Sequence, residues 1–151
     1  MKKKFLYIVF VVFILIQLIP SGLPKVSFDN PNDLIINNKD IPEDVVIILK
    51  NSCYDCHSNE SRYPWYANIS PSSLLVAHDI NEGRAKFNFS NWENLSKIEK
   101  VGALDDISDV ITLDEMPLAI YTLIHRNAAL NNDEKEVIIS WANEFSERLF
   151  E

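Results

Sequence analysis

The chain has 151 residues, 22 acidic side chains against 14 basic ones, a formal net charge of −8, and a hydrophobic share of 47%. That length suits about one domain, and the acidic balance excludes a nucleic-acid binder, which needs a basic face. Two cysteines are too few for a disulfide framework.

The first 23 residues read apart from the rest. Lys2, Lys3 and Lys4 precede an unbroken apolar run from Phe5 to Ile16, extended after Gln17 by Leu18 and Ile19. A basic start followed by an apolar core is an export signal. Residues 1–23 are therefore a signal anchor or a signal peptide, built as an N-terminal hydrophobic helix. Ile19-Pro20-Ser21-Gly22 fits the small-residue cleavage rule poorly, and no cysteine follows to take a lipid. The favoured reading is an uncleaved inner-membrane anchor with the lysines in the cytoplasm and the domain facing the periplasm. A soluble periplasmic form after cleavage is the competitor. Without the three lysines, 11 basic side chains face 22 acidic ones, a net charge of −11. That suits solubility and docking to a positive partner patch.

Residues 24–40, rich in Asn, Asp and Pro, read as a tether, and the domain proper as 41–151. Pro42 suits a first helical position, Glu43 and Asp44 suit the positive end of the helix dipole, and Val45, Val46, Ile48 and Leu49 supply an apolar face. This helix runs into Cys53-Tyr54-Asp55-Cys56-His57, a C-x-x-C-H run, the pattern of c-type haem attachment. Two sulfurs one helical turn apart can bond the two vinyl groups of one porphyrin, and the adjacent histidine can ligate its iron. A redox dithiol would expect a βαβ setting, a structural zinc would need four ligands, and a disulfide would leave His57 without a role. Haem attachment happens outside the bacterial inner membrane, so the export signal and the motif support each other.

Residues 59–69 form a loop in which Tyr63, Trp65 and Tyr66 are candidate walls for a flat porphyrin. Ser70 and Pro71 open a helix carrying Leu74, Leu75 and His78 on one face and ending near Gly83. Ser90-Asn91-Trp92-Glu93 matches a capping box, behind which Trp92, Leu95, Ile98, Val101, Leu104, Ile107 and Ile111 recur at helical spacing. Met116-Pro117 breaks the pattern, and Pro117 opens a short helix to His125. The last helix follows Asn131 or Asn132 and buries Val137, Ile138, Trp141, Phe145 and Leu149. No segment alternates like a strand. The fold class is all-α, with about five helices.

Opposite His57 the iron needs a second ligand, a water or a vacancy. Met116 is the first candidate, because it lies in a break just before a stiffening proline, and a Met/His pair suits electron carriers. Its other reading is a gap-filling core methionine. His78 on its apolar face and His125 at a helix end are further candidates, and a five-coordinate iron stays open. Arg62, Arg84 and Trp92 are candidate donors to the haem propionates.

Several blocks together are similar to the small haem-binding domain family found widely in Bacteroidota. They are Cys53 to Glu60, Arg62-Tyr63-Pro64-Trp65-Tyr66, His78 to Arg84, Asn88-Phe89-Ser90 with Trp92, and Met116-Pro117-Leu118 with Tyr121. The likeness covers about residues 41–145. It implies a mono-haem, cytochrome c-like bundle around one haem c and its iron, with Cys53 and Cys56 binding the porphyrin and His57 the metal. Met116 follows less directly. The expected function is single-electron transfer between periplasmic or membrane redox proteins. A haem enzyme of peroxidase or small-molecule reductase type, or a haem-based sensor or accessory module, are the alternatives.

Overall fold

The computed structural model describes residues 2–151. Among them are eight α-helices, three short 3-10 turns and no strand. The all-α reading holds. The count exceeds the five expected because short helices form where loops and breaks were read.

Helix α1 (Lys2–Ile16) projects with no buried side chain. The hydrophobic helix therefore forms, but it is 15 residues long, and no helix among the described residues is long and apolar enough to cross a membrane. Three turn-like backbone bonds continue its path through Ile19.

The 24–40 segment, expected to be a tether, is packed over its second half. Leu34 opens α2 (Leu34–Asn37), and Asn30, Asp33 and Leu34 are buried. The Asp33 carboxylate accepts from Ile35 N (2.9 Å), from the Tyr54 hydroxyl (3.0 Å) and from the Ser90 hydroxyl (3.3 Å). A carboxylate taken from water needs such donors. The packed body thus begins before Ile41.

α3 (Glu43–Ser52) buries Val45, Ile48 and Leu49, the i, i+3, i+4 spacing of one helical face. α4 (Tyr54–His57) follows almost without a break, and α5 (Ser72–Lys86) packs against it. α6 (Lys97–Thr112) and α8 (Asn132–Arg148) lie along each other, burying Leu104, Ile107 and Ile111 against Ile138, Trp141, Ala142 and Phe145. α7 (Ala119–Ile124) is a short connector. Trp92 stacks on Phe145, which stacks on Trp141, at 6.2 and 5.6 Å between ring centres. Full burial of each such side chain contributes about 1.5–3 kcal/mol.

Two helix starts differ from expectation. The Ser90–Glu93 capping box does not form: Phe89–Asn94 is a 3-10 turn, and the box is made six residues later by Ser96 and Glu99 at the head of α6. Ser90 is diverted because its hydroxyl accepts from Asn59 N at 3.0 Å and donates to Asp33. At α5 the Ser70 hydroxyl pairs with that of Ser73 instead of capping an amide. Ile98, placed in the α6 stripe by spacing, is exposed.

Candidate functional site

The C-x-x-C-H motif folds as a second helical start. Cys53 N donates to Leu49 O, closing α3, and the Cys53 carbonyl then accepts from Cys56 N (3.1 Å) and His57 N (2.9 Å), opening α4. Ser58, fully buried, ends the turn by donating to Tyr54 O at 2.7 Å while accepting from Glu60 N. Asp55 anchors the motif outward: it accepts from Arg62 N and Nε (both 3.0 Å) and from the Tyr121 hydroxyl (2.7 Å). Behind it, α5 approaches so closely that a Cβ on Gly83 would lie 2.9 Å from Cys56 O.

Two adjoining cavities open beside the motif. One, of about 350 Å³, is lined by Cys53 and by Phe87, Phe89, Ile107, Val110, Ile111 and Leu130. The other, of about 250 Å³, is lined by Cys56, Gly83, Leu118 and Tyr121. His57 and Met116 line both, so they stand on the seam, with one cysteine to each lobe. An open hollow of about 590 Å³ between α3 and α8 is instead rimmed by carboxylates and holds no cysteine, histidine or methionine.

His57 is oriented by its surroundings. Its ring stacks on Phe87 at 4.4 Å, and Nδ1 lies 3.4 Å from the Phe87 carbonyl oxygen. Burial holds the imidazole below its ordinary pKa, against the raising effect of the backbone contacts at Phe87 and Gly83. The neutral tautomer with Nδ1–H toward that carbonyl leaves Nε2 as a free donor to a metal, the arrangement by which an outer partner aims a histidine ligand.

Met116 is delivered by the end of α6. Asp114 adopts a left-handed φ of 58°, Asp114 N donates to Ile111 O, and Glu115 N donates to Val110 O. These are the bonds of a Schellman ending, and Met116 N also reaches Val110 O at 3.2 Å.

The other candidates lie elsewhere. His78 is exposed on α5 and lines neither lobe, because the inward face of that helix is Ser73, Ala77, Ile80 and Gly83. His125 Nε2 is 2.7 Å from the Tyr66 hydroxyl. Arg62 is engaged with Asp55 and the Lys50 carbonyl, and Arg84 with Lys25 O and Ser61 Oγ. Trp92 is fully buried in the core. The basic side chain on both lobes is Lys86, the last residue of α5, which nothing in the sequence singled out. The aromatic walls were misplaced as well. Trp65 is exposed, Tyr63 donates to Pro24 O, and the cleft takes its rings from Phe87 and Phe89. The alternating Phe87-x-Phe89 pair just past α5 was the available signal.

The chemistry of the donors discriminates among the motif's readings. Burial pushes the Cys53 thiol up to about 12 and the Cys56 thiol up to about 11, opposite to the lowered values of redox dithiols. Among the described residues no group of three or more His, Cys, Asp and Glu side chains could hold a metal ion, so zinc lacks its ligand set. A largely apolar cleft with two thiols, one imidazole and one thioether on its lining has the donor set that a haem would use, with Cys53, Cys56, His57 and Met116 as the residues that could hold it. Comparison with curated proteins and with solved structures gave no match. A family model described as haem-binding domain matches residues 11–144, most of the chain, and the protein belongs to that family.

Proposed function

We propose that this haem-binding protein is a mono-haem c-type cytochrome that passes single electrons between periplasmic or membrane redox proteins, tethered to the inner membrane by its N-terminal segment. The observation that carries this reading is the convergence of Cys53, Cys56, His57 and Met116 on one apolar cleft. A bound haem would supply an iron that cycles between ferric and ferrous states, and His57 and Met116 are the residues that would hold that iron, a donor pair that raises the potential.

This chain's own residues have four tasks in that scheme. Cys53 and Cys56 would hold the haem through thioethers formed by adding their thiols to its two vinyl groups. The Phe87 carbonyl and ring fix the plane of His57. Phe87, Phe89, Ile107 and Val110 give the larger lobe its apolar wall, which would limit the access of water to a bound haem and favour its less charged reduced form. Lys86, exposed and lining both lobes, would be the cation for a propionate.

The enzyme alternative draws little from the geometry, since the histidine considered for a distal role, His78, lies outside the cleft. The test is spectroscopic. The reduced protein should show c-type bands, and Met116→Ala should abolish the methionine–iron charge-transfer band of the oxidised form and lower the potential. An unchanged oxidised spectrum would remove Met116 from the iron, and fast cyanide binding by the unmutated protein would restore the enzyme reading.

A further inference from the structure

The end of the hydrophobic helix is fastened to the domain. Gln17 makes a two-way amide clasp with Ser70: its Nε2 donates to Ser70 O at 2.9 Å, and its Oε1 accepts from Ser70 N at 3.0 Å. The chain that follows is strapped down as well. The Tyr63 hydroxyl donates to Pro24 O, Arg84 Nη1 donates to Lys25 O at 3.0 Å, and Ser27 N donates to Asn59 O at 2.8 Å. There is no free length of linker between α1 and the haem-binding body.

The surface at this junction is apolar. Ser70 belongs to a local unit in which Ile69 N donates to Tyr66 O, Ser72 Oγ donates to Ile69 O, and Leu75 N donates to Pro71 O. From that unit Trp65 (77% exposed), Ile69 and Leu75 face solvent, and from the α1 side so do Leu18 (77%) and Ile19. The Gln17–Ser70 clasp brings the two segments that carry these exposed apolar side chains together, and a cluster of that kind suits a contact surface.

The length of α1 says what covers it. The apolar part of α1 together with the three turn-bonded residues after it, Phe5 to Ile19, spans about 22 Å at helical rise, short of the roughly 30 Å of a bilayer's hydrocarbon core. A segment that short is accommodated by bilayer thinning or by anchoring residues at its end, and Trp65, in the turn five residues before the clasped Ser70, is a side chain that favours the headgroup region. The acidic body gains nothing from an anionic surface, so the contact is apolar.

We propose that Leu18, Ile19, Trp65, Ile69 and Leu75 form a membrane-facing surface that seats the haem-binding body directly on the lipid interface, with the Gln17–Ser70 clasp fixing its orientation. This rests on the reading that α1 enters a bilayer, and the test separates the two. Full-length holoprotein is reconstituted with phosphatidylcholine vesicles. Co-flotation reports entry of α1. Quenching by lipids brominated near the headgroup, taken as the difference from Trp65→Phe, reports contact of the face. Trp65 emission is expected to fall by roughly half, while the buried Trp92 and Trp141 remain unquenched. Gln17→Ala should weaken the quenching without altering the haem spectrum. Flotation without quenching overturns the membrane-facing surface and leaves the tether, and failure to float overturns both. Trp65 emission that follows protein density in the vesicles and ignores bromolipid assigns the face to a second copy and overturns the proposal.

Discussion

Gly83 has the least room of any glycine in the chain, because the Cys56 backbone crosses it at a distance that a methyl group would occupy. Gly83→Ala must push α4 away from α5, and overpacking of this kind costs about 1–3 kcal/mol. Urea unfolding should show that loss, together with a lower yield of haem-loaded protein, since the displaced element carries the cysteines. Asp33 is the second residue on which much depends. Asp33→Ala removes the α2 cap and leaves the buried Tyr54 and Ser90 hydroxyls without their acceptor, a loss of about 2–4 kcal/mol by denaturant unfolding. Neither role shows in the sequence. Gly83 looked like a helix end, and Asp33 like one more polar residue in a linker, because both roles are set by segments distant in the chain.

At the scale of elements, the 3-10 turn, α2 and α6 are joined through Glu93. Its carboxylate accepts from Lys100 Nζ at 2.6 Å and from Asn38 Nδ2 at 3.0 Å, and its amide donates to Asn32 O. Burial raises this carboxyl, but the Lys100 and Asn38 bonds outweigh it and hold it below its ordinary 4.5. As pH falls, the unfolded chain takes up this proton first. The stabilisation is therefore complete above pH 4.5 and is lost as pH drops through the lower folded value. Glu93→Gln should be less stable than the parent at pH 7, and the two unfolding curves should converge in acid; parallel curves across that range would deny Glu93 the role.

The same region shows what helix signals can and cannot say. Two Ser-x-x-Glu patterns occur within ten residues, at Ser90 and Ser96, and local pattern alone ranks them equally. Ser96 caps because nothing else claims it, whereas Ser90 is taken by Asp33 and Asn59. By contrast, α3 and α8 start within a residue of where Pro42 and Asn131 indicated, since their apolar stripes and end residues agree.

Across the whole molecule, the all-helical class and the cysteine–histidine motif at the end of a helix were legible in the residues. The motif is contiguous, so its local geometry follows from helical spacing. Met116 was marked by the break it sits in. The cleft's walls were not legible. Phe87, Phe89 and Lys86 reach it through the path of the chain leaving α5, and His78 leaves it because Ala77, Ile80 and Gly83 take the inward face. In the proposed cytochrome one haem is bonded covalently to Cys53 and Cys56, and intact mass spectrometry after acid–acetone extraction reads out that bond. Protein matured in a host competent for haem attachment should keep the polypeptide mass plus that of one haem, and Cys53→Ser with Cys56→Ser should show the polypeptide alone. Pigment released wholly into the solvent from the unmutated chain, leaving the bare polypeptide mass, would contradict it.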